Sequence, residues 1–93
     1  IMMNNQYQVT QRLNEYKEFK RKMLLISETL INSLDHLNIC ISKLPNYYEG
    51  YGDGVGIVKL QNNLQESKNF ITDRVIPEID LEIKNLTEQL NRE

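Results

Sequence analysis

The chain has 93 residues, a formal net charge of −2 and one cysteine, Cys40. This length fits one small domain, and the near-neutral charge argues against a nucleic-acid-binding surface. A single cysteine excludes an internal disulfide and a site built from paired thiols. No run approaches the ~18 apolar residues typical of a membrane-spanning helix, and no signal-peptide pattern follows Met3. We therefore expect a protein made in the cytoplasm, with signal-peptide-independent secretion as an alternative destination.

The first half of the chain has the apolar spacing of a long helix. From Val9 onward, seam positions recur at alternating intervals of four and three residues, which is typical of a helix packed lengthwise against a neighbour. The seam comprises Val9, Leu13, Tyr16, Lys20, Met23, Ser27, Leu30, Leu34, Leu37, Ile41 and Leu44. The pattern predicts a helix over about 5–44 that ends before Pro45, because proline disfavours helical geometry in the residue before it.

The second half also has helical spacing. Its apolar positions are Ile57, Leu60, Leu64, Ile71, Val75, Ile79, Ile83, Leu86 and Leu90. They predict a helix over about 55–91. Pro77 removes one backbone hydrogen bond and presses against the preceding turn, so we expect a kink near Pro77 with the helix continuing. A full break, with a third short helix starting at Pro77, is the alternative.

Between the two helices lies a stretch rich in glycine and tyrosine. Residues 45–56 hold all four glycines of the chain, three of its five tyrosines and a proline. Inside a helix each glycine costs ~1 kcal/mol and a proline ~3 kcal/mol, so this stretch predicts a turn over 45–54. Alternating glycines also occur in phosphate-binding loops, but those loops follow a strand. We interpret the stretch as the turn of an antiparallel two-helix hairpin.

Both predicted helices carry apolar residues outside their seams. A hairpin buries one face of each helix, so this surplus indicates a second contact surface. Small all-helical proteins usually cover such surfaces in bundles of three or four helices. We therefore expect an all-α protein, with residues 1–93 forming one hairpin domain that assembles as a homo- or heterodimer into a four-helix bundle. The predicted partner-binding residues are Phe19, Met23, Leu24, Leu25, Ile26, Tyr47, Tyr48, Tyr51, Phe70 and Ile76.

The side chains that carry chemistry are too sparse to predict an enzyme. His36 and Cys40 lie four residues apart, a spacing that can place two metal ligands on one helix face. They are the only histidine and cysteine, so we interpret Cys40 as a small core residue and predict no metal or cofactor. No catalytic nucleophile with a matching base is evident. The basic run 17–22 predicts a solvated face attracted to the acidic second helix, with a polyanion or membrane-surface site as the alternative.

The predicted turn contains Tyr48-Glu49-Gly50, an aromatic-x-Gly motif. In this motif and in its predicted hairpin the chain resembles the WXG-motif superfamily of Gram-positive type VII secretion, which has Trp-x-Gly there, with tryptophan at the position of Tyr48. The family's export signal is an aromatic residue followed four positions later by an acidic one, and the stretch from Phe70 to Asp73 is one residue shorter. The resemblance implies a hairpin that dimerises as a four-helix bundle, with another family member or with the targeting domain of an LXG toxin.

From these features we expect a non-enzymatic partner protein that binds another helical protein, similar to type VII secretion substrates or toxin-targeting factors. Two alternatives stay open. One is a self-assembling structural coiled-coil protein of a phage or cell envelope. The other is a small immunity or inhibitor protein that blocks an enzyme. The sequence predicts no nucleic-acid partner and no membrane-spanning helix.

Overall fold

The computed structural model describes residues 2–47 and 55–92, with side chains for residues 5–43 and 56–92. These ranges form α1 (Met2–Tyr47), α2 (Val55–Phe70), a π-helical turn (Ile71–Val75) and α3 (Ile76–Arg92). Neither range contains a strand, so the predicted all-α class is confirmed. Most of the predicted turn, residues 48–54, lies outside the described residues.

The first helix is longer than the sequence predicted. α1 runs to Tyr47 and includes Pro45, whereas we expected it to end at Leu44. A proline in the last turn of a helix removes only one backbone hydrogen bond, the one to the Ile41 carbonyl. The restriction on the preceding residue is a preference, and one turn at a helix end can absorb it.

The second helical stretch lies antiparallel along α1. Three pairs of polar side chains connect the two sides: Arg12 with Glu82 at 3.9 Å, Lys20 with Asp80 at 2.7 Å, and Asn38 with Gln61. Residue numbers rise on one side as they fall on the other, which defines the antiparallel direction. Near the start of α1, Val9 and Leu13 pack with Leu86 of α3 in a small apolar cluster.

The predicted seam of α1 is the side that faces its neighbour. Every seam position from Val9 to Ile41 is buried or half-buried, and this includes the two polar ones, Lys20 and Ser27. Lys20 keeps its ammonium group at the edge, where it pairs with Asp80. Ser27 is buried, and the register set by the Lys20–Asp80 pair puts it level with the π-helical turn. The 3.5-residue period therefore predicted the buried stripe of α1 correctly.

The seam of α2 differs from the prediction at one place. Leu60 was expected in the stripe and is about half exposed, whereas Gln61 is half-buried. An interval of four residues from Ile57 leads to Gln61. The 4-3 period therefore places Gln61, and not Leu60, in the seam. The Gln61 amide donates a hydrogen bond to the Asn38 side chain across the pair, which satisfies the polar group where it lies.

A π-helical turn joins α2 to α3 without breaking the helix. The Ile76 N–H donates to the Ile71 carbonyl, five residues back instead of the usual four. Pro77 follows directly and has no N–H, so the next bond of an α-helical ladder lacks its donor. The sequence predicted a kink with the helix continuing. The helix does continue, through a turn that holds one extra residue.

The extra residue resets the phase of the seam. Continued strictly from Ile71, the 4-3 period leads to Val75 and then to Glu78, which is exposed. The wide turn delays the pattern by one residue, so Ile79 and Leu86 become the buried residues of α3. The signal was present in the sequence as three successive intervals of four, from Ile71 to Ile83. We interpret the π-helical turn as the structural form of that irregular spacing.

The packed helices form a thin rod. Its extents are 71 × 15 × 14 Å and its radius of gyration is 20.6 Å. A compact domain of this length has a radius of gyration of about 12 Å. A rod only two helices thick can shield side chains from one direction alone, and this decides which apolar residues remain uncovered.

Candidate protein-binding surface

Much of the apolar side-chain surface is left open by the packing of the two helical stretches. Among the described residues, six hydrophobic side chains are buried and no large side chain is completely shielded. The exposed large hydrophobic residues are Tyr7, Phe19, Leu24, Leu25, Ile26, Ile31, Ile39, Val58, Leu60, Phe70 and Leu81. Exposed apolar area matters when it is contiguous, so the position of each residue around the rod decides its meaning.

The rod has two long flanks, one on each side of the seam. On α1, the residues just before Lys20, Ser27, Leu34 and Ile41 project to one side, and those just after Met23, Leu30 and Leu37 project to the other. Because the second helix runs antiparallel to α1, its residues just before and just after the matching seam positions lie on these same two sides. The Arg12–Glu82 pair lies on the first side and the Lys20–Asp80 pair crosses at the second, in agreement with this geometry.

The first side, which we call the Phe19 flank, combines apolar and small residues. It consists of Phe19, Ile26, Ser33 and Cys40 on α1 with Leu60, Ser67 and Phe70 on α2. Phe70 is the most exposed of these large side chains at 58 %. Beside it lies a shallow depression of about 540 Å³ lined by Asn63, Glu66, Ser67, Phe70 and Ile71.

Next to the seam, the central part of the Phe19 flank carries no charged side chain, and Glu66 lies at its outer edge in the depression beside Phe70. From Ile26 to Cys40 the α1 residues of the flank are apolar or small, and the α2 residues from Leu60 to Phe70 match them. This part spans about 21 Å at 1.5 Å per residue. Charged residues lie at its boundaries, with Arg74 near the level of Ile26. Aromatic anchors beside small residues permit the close approach of another helix.

The opposite side, which we call the Leu24 flank, is more polar. It consists of Leu24, Ile31 and Asn38 on α1 with Val58, Gln65 and Thr72 on the second stretch. Its amides are already engaged: Gln65 donates to Asn69 at 3.0 Å, and Asn38 accepts from Gln61. Glu28 and Asp35 follow its outer edge. Covering this flank with an apolar partner would desolvate these groups, so the Phe19 flank is the better candidate.

The predicted partner-binding residues divide between these surfaces. Phe19, Ile26 and Phe70 come together on the Phe19 flank. Leu24 belongs to the other flank, and Leu25 projects outward, away from the seam. Met23 and Ile76 are half-buried. The side chains of Tyr47, Tyr48 and Tyr51 lie outside the described residues, as does Gly50 of the proposed motif, whereas Asp73 is exposed within the π-helical turn.

Sequence reasoning missed several members of the Phe19 flank. Leu60 was assigned to the seam, and Cys40 was interpreted as a core residue, yet Cys40 is exposed. Its neighbours Ile39 and Ile41 suggested burial, but only Ile41 falls on the 3.5-residue period. The usable signal was the sevenfold spacing of Phe19, Ile26, Ser33 and Cys40, since residues seven apart stack on one face.

The charged residues around the rod form short-range pairs. Arg21 donates to the Glu18 carboxylate through Nε at 3.0 Å and Nη2 at 2.5 Å. This hydrogen bond, together with the positive charges of Arg21 and Lys22, lowers the pKa of Glu18 below its ordinary value. The same carboxylate raises the pKa of Arg21. Both groups are fully exposed, so the pair tunes local helix stability instead of forming a reactive centre.

The described residues assemble no metal centre. No three His, Cys, Asp or Glu side chains within them are close enough together to hold an ion. His36 and Cys40 are both exposed. The helices that the structure describes also include none long and apolar enough to cross a bilayer.

Comparisons with protein-family models, with curated proteins and with solved structures found no match to this chain.

Proposed function

We propose that this chain is a non-enzymatic helical partner protein, a hairpin that packs the Phe19 flank against another helical protein. The observation that carries the proposal is the uncharged part of that flank next to the seam, where Ile26, Leu60 and Phe70 remain 44 %, 47 % and 58 % exposed. Aromatic and aliphatic anchors around small residues supply the apolar core of helix–helix interfaces.

The surface area of the chain supports this proposal. The chain exposes 7214 Å². A compact monomer of 11.0 kDa exposes about 5,600 Å². The difference of about 1,600 Å² exceeds the ~800 Å² that one partner buries in a standard interface. Packing a second hairpin along one flank would give a four-helix bundle, the arrangement in which small helical proteins usually bury such surface.

The resemblance to WXG-motif proteins belongs to the same proposal. A rod of two antiparallel helices supports it, and so does Tyr48-Glu49-Gly50 between them in the sequence. In this interpretation the chain is a substrate or accessory factor of type VII secretion. The secretion step has its own test: the tagged chain accumulates in the medium of a Gram-positive host with the system, and deleting the secretion ATPase abolishes this. Retention inside the cell in both strains would reject it.

Site-specific photo-crosslinking in the native host tests the binding function. A benzoylphenylalanine at position 70 lies on the Phe19 flank, and one at position 69 lies on the far side of the same helix. We expect a discrete crosslinked adduct from position 70 and little from position 69, with the adduct identified by mass spectrometry. Equal crosslinking at both positions, or none at position 70, would contradict the proposed surface.

A pair of substitutions gives an independent test. Ile26 and Leu25 are neighbours with similar exposure, 44 % and 48 %, but only Ile26 lies on the Phe19 flank. Ile26→Asp should abolish the adduct because it places a charge in the interface, whereas Leu25→Asp should retain it. Circular dichroism of both variants should show wild-type helicity, which separates lost binding from lost folding.

A further inference from the structure

We infer that the partner on the Phe19 flank is a second copy of this chain, laid parallel to the first and joined to it by Lys22–Glu78 ion pairs at both edges. This inference rests on the proposed function and names the occupant of the same surface. It follows from the charges at the edges of the flank and from the residues that face each other at successive levels of the rod.

Lys22 and Glu78 lie at the same level of the rod. The Lys20–Asp80 ion pair, at 2.7 Å, fixes one level at which α1 and α3 meet. Two residues forward on α1 and two residues back on antiparallel α3 lead to Lys22 and Glu78. Both side chains are exposed, and neither forms an ion pair with a described residue of its own chain.

Both residues also belong to the Phe19 side. Lys22 lies three residues after Phe19 and four before Ile26, so it shares their face of α1. Glu78 lies four residues before Glu82, which pairs with Arg12 on this flank. They therefore occupy the outer edges of the flank, a cation on α1 and an anion on α3, separated by the width of the rod.

A twofold axis along the rod brings these opposite charges together. It places α1 of the second copy over α3 of the first. Each residue keeps its position along the rod axis. Lys22 of each copy then meets Glu78 of the other, so the pair forms twice. This arrangement is self-complementary, which a twofold interface requires.

The same operation matches the uncharged part of the flank. Ser33 lies at the level of Ser67, and Cys40 lies at the level of Leu60. The axis therefore places Ser33 of one copy opposite Ser67 of the other, and Cys40 of one copy opposite Leu60 of the other. Turning the second copy end to end about the Lys22 level instead lays α1 over α1, so Lys22 meets Lys22 and Glu78 meets Glu78. Of these two arrangements, only the parallel one brings the opposite charges together.

The size of the flank suits a stable dimer. A face 71 Å long and 15 Å wide has an area of about 1,000 Å². A standard interface needs ~800 Å² from each partner. Full overlap of two parallel rods uses this entire face, and the result is a bundle four helices thick in cross-section.

Light scattering and charge reversal on the full chain test the inference. The wild type should have the mass of a dimer. Lys22→Glu or Glu78→Lys alone should weaken dimerisation by about tenfold or more, because each places like charges together twice, and the double reversal should restore it. Glu28→Lys, on the edge of the Leu24 flank, is the matched control and should leave the dimer intact. A monomeric wild type or a double reversal that fails to restore dimerisation overturns the inference.

Spin-label distances test the parallel direction. In Cys40→Ser with Ile39→Cys, the new thiol projects away from both flanks and carries the nitroxide. Parallel rods place the two labels about 30 Å apart, given helix spacings of 8–10 Å, and antiparallel rods place them more than about 50 Å apart. The longer distance overturns the inference. If the chain is a monomer but position 70 still crosslinks to a different protein, the second copy is excluded while the proposed function stands.

Discussion

At the scale of single residues, the polar members of the seam show how a helix pair tolerates imperfect patterning. Lys20 occupies a seam position and is half-buried, and its ammonium group reaches Asp80 at the edge. Ser27 is buried where the π-helical turn passes and needs little space. The period identified both positions, but sequence alone could not say how each would be accommodated, because that depends on the residues across the pair.

Truncating the most buried leucine should cost far more stability than truncating an exposed one. Leu86 is 3 % exposed and Leu81 on the same helix is 58 % exposed. Leu86→Ala should lower the free energy of unfolding by about 2–4 kcal/mol because it removes packed methyl groups and leaves a cavity. Leu81→Ala should change it by less than about 1 kcal/mol. Urea unfolding followed by circular dichroism at one fixed protein concentration measures both, and equal losses would refute the assigned burial.

The Glu18–Arg21 pair gives a prediction about pH. The lowered pKa of Glu18 means that its charged form is favoured in the folded helix. The stabilisation is therefore present above the ordinary carboxyl pKa and is lost as the pH falls through the lowered value. In Arg21→Gln the midpoint of the Glu18 carboxyl titration, measured by NMR, should move upward. An unchanged midpoint would exclude Arg21 as the main cause.

At the scale of elements, the two helical stretches were predictable to different degrees. The 4-3 spacing of α1 sufficed to find its buried stripe, because one period holds from Val9 to Ile41. The second stretch changes phase at the π-helical turn, and a single stripe drawn through it misplaced Leu60. The rule that a helix ends before proline misplaced the end of α1, because a proline in the last turn of a helix costs little free energy.

Deleting one residue should remove the π-helical turn without disturbing the core. Without Asp73, the 4-3 period runs unbroken from Ile71 through Ile76, Ile79 and Ile83. We therefore expect the deletion combined with Pro77→Ala to keep wild-type helicity and cooperative unfolding, because no proline then remains that requires a wide turn. In this variant Ile76 follows Ile71 by four residues, so the bond between them becomes part of an ordinary α-helical ladder. Amide hydrogen exchange should therefore show continuous protection through this segment.

A deletion in the regular helix is the matched control. Asn32 is exposed in the middle of α1, and removing it shifts every following seam residue by one position. Loss of the buried stripe beyond it should destabilise the chain severely. If the two deletions were equally harmful, the π-helical turn could not be attributed to the phase of the seam.

At the scale of the whole molecule, the rod shape could be predicted only in part. Helix lengths follow from periodicity, and a long thin pair follows from two matching seams. The unequal character of the two flanks was not apparent, because it depends on which residues precede or follow the seam and on how the antiparallel register pairs them. Cys40 illustrates this, since its neighbours along the chain suggested a core position and its place around the helix put it at the surface.

Dimerisation through the Phe19 flank should make thermal stability depend on protein concentration. Association stabilises the folded state, so each tenfold rise in concentration should add about 1.4 kcal/mol per dimer to the free energy of unfolding. Calorimetry over a wide concentration range should therefore show a rising melting temperature. Ile26→Asp should melt independently of concentration, and Leu25→Asp should behave like the wild type. A concentration-independent wild type would argue against self-association.

The inequality of the two flanks would also limit how large the proposed assembly can grow. If only the Phe19 flank is adhesive, each molecule has a valency of one, and a joined pair offers no equivalent site to a third. The more polar Leu24 flank would then form the outside of the pair. The proposed arrangement thus predicts a small, fixed stoichiometry instead of stacked sheets or filaments.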